Sequence, residues 1–352
     1  MLRALTGQNR LAIKNSVDKG FGSLPTGCHI QFDRVARERV LASLKSSLKL
    51  NVTRLTAELV AWATAKDQTK IKLKEFLLEN EIDISDIYSG NHYWTELKRL
   101  AHIPVLAKGV REDELSRRVA SILYVDDIEI LNAWHQALVH KNIDATRVQI
   151  LAHTFLVRQS ELINPVQFML LIEQHPAIKD ELIEVIDWRI EQSIQPYCHL
   201  DGIPPSWVLS LHNRYSRSDI ITAISYANST KRPAFREGCL AISERKIELM
   251  FVTLDKSEGF DERVQYHDYA ISPRLFHWQS QNVASSTNKT GLRYLNSVAK
   301  PLANDWRFFL FVRENKNAAF AALGEVILIK AEGDRPISCY VGTQKCNAVR
   351  II

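Results

Sequence analysis

Apolar residues recur at three- and four-residue spacing through most of the first two-thirds of the chain, and at strand spacing through the last third. Asp33 opens a helical stretch that places Val35, Val40, Leu41, Leu44 and Leu48 near one face. Asn51 is a predicted N-cap for a helix carrying Val52, Leu55, Leu59 and Trp62. Lys70 to Glu79, Glu114 to Tyr124, Asp144 to Val157 and Asp180 to Ser193 repeat the pattern on other faces, which predicts an irregular bundle. No fixed period recurs, so a solenoid is not indicated. Ser216-Arg217-Ser218-Asp219 has the form of a capping box and leads into Ile220, Ile221 and Ile224.

After Lys231-Arg232-Pro233 the pattern changes. Ile247 to Leu254, Arg307 to Arg313, Leu323 to Ile329 and Ile337 to Val341 are short β-branched or aromatic runs separated by Gly, Asp and Lys turns. The expectation is an α+β chain: a connector over 1–32, a helical domain over 33–232, and a small curved sheet or β-barrel over 233–352.

With 352 residues the chain is long enough for two domains. No uncharged apolar run could span a bilayer, and Leu2 to Val17 lacks the continuous apolar stretch of a signal peptide, so a cytoplasmic protein without a membrane role is expected. Met1 to Gly7 reads as a start inside a longer protein. Cys28, Cys198, Cys239, Cys339 and Cys346 are odd in number and contain no C-x-x-C pair, which argues against a disulfide framework or a zinc knuckle and for reduced thiols. Cys198 and His199 are adjacent, but two further metal ligands are missing. Net charge is +5, of which 233–352 carries +3 from 16 basic and 13 acidic residues, too mild to establish a nucleic-acid partner alone.

The chemistry concentrates in Tyr266 to Gln281, a run of aromatics, amides and a carboxylate. Base-reading proteins need flat side chains for stacking and fixed donors or acceptors for base edges, and this segment offers both. On a strand, Phe276, Trp278 and Ser280 share one face while His277, Gln279 and Gln281 share the other. Tyr269, Phe276 and Trp278 are either stacking planes for an extruded base or core. Asp268 is a candidate acceptor for a cytosine amine, and Gln279 and Gln281 for holding a base or its partner, or else they satisfy neighbouring backbone. His277 with Asp268 lacks a nucleophile in the right context, so a hydrogen-bonded histidine is the better reading than a catalytic dyad. Arg214, Arg217, Arg236, Arg274 and Arg293 are candidate phosphate contacts, with a solvated surface as the alternative.

Several stretches carry a family resemblance. They are Phe251 to Glu258, Tyr269-Ala270-Ile271-Ser272, Leu275 to Gln281 and Thr290-Gly291-Leu292-Arg293-Tyr294, with Leu5-Thr6-Gly7, Gly20 to Gln31 and Arg214-Tyr215-Ser216-Arg217 upstream. They resemble the domain of unknown function found C-terminal to superfamily 2 helicase modules, as in SauUSI-type type IV restriction enzymes. The resemblance implies a longer bacterial enzyme in which a phospholipase-D-type nuclease and an ATP-driven motor precede this region. It implies a C-terminal barrel similar to SRA or PUA domains that reads modified cytosine, 5-methylcytosine among the marks, in double-stranded DNA by base flipping as part of anti-phage defence. A homodimer is compatible with it. The chain itself has no G-x-x-x-x-G-K-[ST] phosphate loop and no H-x-K pair. It is therefore expected to be no enzyme and to hold no metal or cofactor, with ATP and Mg belonging to the motor module. The alternative is a scaffold that couples a motor to protein partners without reading bases.

Overall fold

The computed structural model describes residues 51–343 apart from 65, 68–69, 89–91, 159–160, 194–205, 234–237, 255–267, 273, 302 and 304. The expected connector over 1–32, with Cys28, Cys198, Cys346, Tyr266 and Arg236, lies outside the described residues. Two compact units divide the chain, one comprising 1–120 and 175–184, the other 121–174 and 185–352.

In the first unit the described helices are α1 (Val52–Ala63), α2 (Leu73–Asn80), α3 (Ile84–Tyr88), α4 (Trp94–Leu100) and α5 (Glu112–Val119). Asn51 caps α1 by accepting from the Arg54 amide at 2.9 Å, as its place before the apolar stripe predicts. Phe76 and Trp94 stack at 5.4 Å, and Leu55, Leu59 and Leu97 are fully buried as well. The N-terminus of α4 has no cap from its own flank. The buried Glu181 supplies one from afar, accepting from the Trp94 amide at 3.0 Å, the Thr95 amide at 2.9 Å and the Tyr88 hydroxyl at 2.8 Å. Burial pushes its carboxyl up, and those donors oppose the shift.

The second unit holds α6 (Ile128–His140), α7 (Ala145–Phe155) and α8 (Pro165–Glu173) together with all eight described strands. Asp127 caps α6, Asp144 caps α7, and Asn164 with Gln167 forms a capping box on α8 behind Pro165. Helix α9 (Pro176–Gln192) divides between the two units at Glu184 and Val185.

The strands are β1 (Arg214–Tyr215), β2 (Cys239–Ile242), β3 (Ile247–Thr253), β4 (Tyr269–Ser272), β5 (Leu275–Gln279), β6 (Arg307–Arg313), β7 (Phe320–Glu332) and β8 (Ser338–Thr343). Helix α10 (Arg217–Ala223) follows β1, and α11 (Lys289–Ala299) joins β5 to β6. Their order is β2-β3-β6-β7-β8-β5-β4, with β1 paired to β7. Every pairing is antiparallel except β3 with β6. Arg214–Tyr215 precedes the change of pattern at Arg232 yet is hydrogen-bonded into this sheet, opposite Ala321 and Phe320.

The chain is thus α+β, but the expected barrel is not formed. β2 and β4 stand at opposite ends of an open mixed sheet and do not pair with each other. Short β-branched runs mark strands equally well in open and closed sheets, so the sequence pattern carried no signal for closure. The two strands of the parallel pair are buried on both faces, as parallel pairing favours: β3 throughout and β6 except at its ends. On one face Met250, Val252, Leu310 and Val312 join a core with Tyr294 of α11. On the other, Phe251 stacks on Phe311 at 5.4 Å, and Trp207 packs on Phe309 at 5.4 Å.

Candidate nucleic-acid interface

The alternation of β5 sorts the candidate residues onto two faces. Phe276 and Trp278 point into the core, 2% and 3% exposed, and Trp278 meets Tyr294 edge-on at 5.3 Å. Their register partners Val341 and Cys339 on β8 are core residues as well. Neither ring has a face left for a base.

His277 lies on the opposite face. Register places it between Tyr269 of β4 and Tyr340 of β8, and Tyr340 is paired in turn with Lys330 of β7. The four side chains form a cross-strand row. Tyr269 stacks on His277 with centroids 4.9 Å apart and planes at 21°. Tyr340 meets His277 edge-on at 5.2 Å, and the Lys330 ammonium stands 5.5 Å from the Tyr340 centroid. Glu332 pairs with Lys330 at 2.6 Å, and the two charges hold each other exposed. His277 itself is buried between its neighbours, whereas Tyr269 is 49% exposed. Ile271, which bulges from β4, and Ile327 and Ile329 of β7 are also exposed, so this half of the sheet face is open. Gly342 leaves room for Ile329, whose Cδ1 is 2.9 Å from where a Cβ would stand.

The polar candidates mostly hold the backbone in place. Asp268 Oδ1 accepts from the Gln279 amide at 2.9 Å, which fixes the end of β5. Gln279 Nε2 reaches Ser338 Oγ at 3.4 Å. The Gln281 carbonyl accepts from Ser280 Oγ at 3.2 Å and from the Ala284 amide at 2.9 Å, so Gln281 is a turn residue with a half-buried side chain. Arg274 is exposed in the β4–β5 connection, where its carbonyl accepts from the Thr343 amide at 2.9 Å.

Two of the expected phosphate contacts are engaged inside the fold. Arg293 Nε lies 2.6 Å from the buried Glu248 carboxylate, and its guanidinium covers the Trp306 ring at 4.5 Å. Arg217 lies over the Phe251 and Phe320 rings at 5.3 and 5.5 Å. In sequence each resembles any surface arginine; in the fold each guanidinium packs on aromatic faces, which removes it from the exposed set. Arg214 alone of the upstream pair remains exposed.

The Arg214-Tyr215-Ser216-Arg217 motif is a joint within the second unit. The Arg214 amide donates to Asp126 Oδ1 at 2.7 Å. The Tyr215 hydroxyl donates to the Asp127 carboxylate and accepts from the Ser210 amide at 2.8 Å. Ser216 forms a capping box with Asp219 on α10, and Asp219 also accepts from the Tyr124 hydroxyl. Burial pushes the Tyr215 phenol well up, with the Asp127 charge adding to the shift. Sequence reasoning missed Glu248, which sits in the otherwise apolar run Ile247 to Val252. The available signal was a lone carboxylate inside this run, which needs a cation once the run is buried.

Residues 209–348, less than half of the chain, match the family described as Domain of unknown function (DUF3427). A domain of this kind, associated with helicase-related proteins, is therefore present. No curated protein matches the chain. Among the described residues no helix is long and apolar enough to cross a membrane, and no group of three or more His, Cys, Asp or Glu side chains is placed to hold a metal ion.

Proposed function

We propose that this chain is the DNA-binding specificity portion of a modification-dependent restriction helicase-nuclease. In this reading it serves a fused motor and nuclease that supply ATP, Mg and strand cleavage, and it has no catalytic role of its own. The observation that carries the nucleic-acid reading is the open row Tyr269, His277, Tyr340 and Lys330. It sets aromatic planes beside a cation on a face that carries exposed Tyr269 and Lys330. The DUF3427 match supports service to a helicase-type motor. The finer reading, recognition of modified cytosine in a duplex by base flipping, rests on the resemblance of Leu275 to Gln281 and its flanks to type IV restriction enzymes. With Phe276 and Trp278 in the core, the planes offered to a base are Tyr269 and Tyr340.

The test is a binding series with the full chain across unmodified, methylated and hydroxymethylated duplexes at several salt concentrations. Tighter binding to one modified duplex supports the finer reading. Equal binding to all leaves a DNA-binding module without base discrimination, and no binding at all favours the scaffold. With Arg214, Arg274 and Lys330 as the exposed cations assigned to DNA, a logarithmic salt slope near minus 0.9 per contact stays shallower than about minus three.

A further inference from the structure

The Tyr269–His277 stack stands at the edge of the sheet. β4 ends the strand order, and no described strand pairs with its outer side. One face of the Tyr269 ring rests on His277, and the residue is still 49% exposed, so its exposure belongs to the other face and the rim. A flat group arriving there would extend an existing stack of two rings. Ile271 bulges from the same strand and is 44% exposed, and the exposed Arg274 follows in the same hairpin. An aromatic plane with a cation a few residues away suits a base and its phosphate. Inside a duplex both faces of a base are already covered by its neighbours, so only an unpaired base has a face to offer. A base held by flipping is enclosed in a snug pocket. Tyr269 lies on an open edge, across which a strand can run.

We infer that Tyr269 is the stacking plane for an unpaired base of a single strand of DNA that crosses the β4 edge, with Arg274, exposed in the connection that follows β4, for a phosphate. This rests on the nucleic-acid reading above, not on its base-flipping part, and adds the strandedness and the phosphate contact. Stacking of this kind is tolerant of sequence, since every base has a π face.

The experiment uses the full chain with end-labelled oligo(dT) of about 15 nucleotides, within the span of such sites, oligo(rU) of the same length, and a matching duplex, followed by fluorescence anisotropy. Tyr269→Ala is expected to weaken oligo(dT) binding roughly five- to a hundredfold, and Tyr269→Phe to restore it, because the ring and not the hydroxyl does the stacking. Weaker binding of oligo(rU) assigns the strand to DNA; binding of oligo(rU) in preference to oligo(dT) overturns the assignment to DNA. Unchanged oligo(dT) affinity in Tyr269→Ala, or loss that Tyr269→Phe does not restore, overturns the inference, with thermal melting establishing that both variants fold. If the wild type binds duplex but not oligo(dT), this inference fails and the duplex-reading proposal stands. If it binds no nucleic acid, both fail.

Discussion

The guanidinium of Arg293 and the carboxylate of Glu248 meet at 2.6 Å beneath α11, with Glu248 fully buried and the Arg293 side chain nearly so. Tyr294, the next residue on the helix, donates its hydroxyl to the same carboxylate. Two neighbours on one helix thus satisfy a charge that an interior strand could not carry alone.

Arg293→Ala is therefore expected to cost about 3–5 kcal/mol of stability, the range for removing one partner of a buried ion pair, in a denaturant titration. Burial already holds the Glu248 carboxyl above its ordinary value against the pull of Arg293. Without Arg293 it rises further, so the folded variant takes up a proton at higher pH than the unfolded chain. The deficit should then shrink as pH falls through that range, and a deficit of equal size at acid and alkaline pH would count against the pairing.

Trp278 and Tyr269 separate core from surface within one short segment. Trp278→Ala should lower stability by about 3–5 kcal/mol, as for other buried aromatics. Tyr269→Ala loses one ring contact and should cost about 1 kcal/mol. Comparable losses from the two would mean that the faces of β5 have been assigned wrongly.

Gly291 is held by a close approach. A Cβ there would lie 1.9 Å from the Ser285 carbonyl oxygen, which is backbone and cannot swing aside. Asn288 fixes the same turn, accepting from the amides of Gly291 at 2.9 Å and Ser285 at 3.2 Å. Gly291→Ala should destabilise by about 3 kcal/mol, at the upper end of overpacking costs. Calorimetry that detects no change would show that the turn is free to shift.

His153 provides a pH test. Its Nε2 faces the Asn228 carbonyl at 3.2 Å and its Nδ1 the Thr222 hydroxyl at 2.8 Å. Burial, with Arg232 adding to it, lowers the imidazole from 6.5 to about 4. The unfolded chain therefore binds a proton that the folded protein refuses, and stability falls as pH drops from the ordinary value toward about 4. The full effect is about 3 kcal/mol at 1.36 kcal/mol per unit. His153→Gln should flatten this part of the stability profile, measured by urea midpoints between those limits.

The elements most legible in the sequence were those that announce themselves locally. Asn51 and Ser216 marked helix starts, and the β-branched or aromatic runs found β3, β6, β7 and β8. Helices α6 and α8 were passed over although Asp127, and Asn164-Pro165 with Gln167, stood at their starts. Sheet order and openness were illegible, because the β3–β6 pairing joins segments far apart in the chain and nothing in either strand names its neighbour. The site was half legible. The period of two put Phe276 and Trp278 opposite His277, but which face entered the core depended on α11. Tyr340 was missed because only the β5–β8 register brings it to His277. Much of the motif-rich sequence proved to serve packing: Gly291 for a close approach, Arg293 and Tyr294 for Glu248, and Tyr215 for Asp127.

The central claim is that nucleic acid lies on the β4-β5-β8 face. The most direct measurement is photo-crosslinking of the full chain to a bromodeoxyuridine-substituted oligonucleotide, with the attachment sites mapped by peptide mass spectrometry. Adducts concentrated at Tyr269 and Tyr340, and lost from Tyr269→Ala at the first of these, are the expected result. Adducts confined to the helices between Val52 and Gln192, with none on β4, β5 or β8, would contradict it.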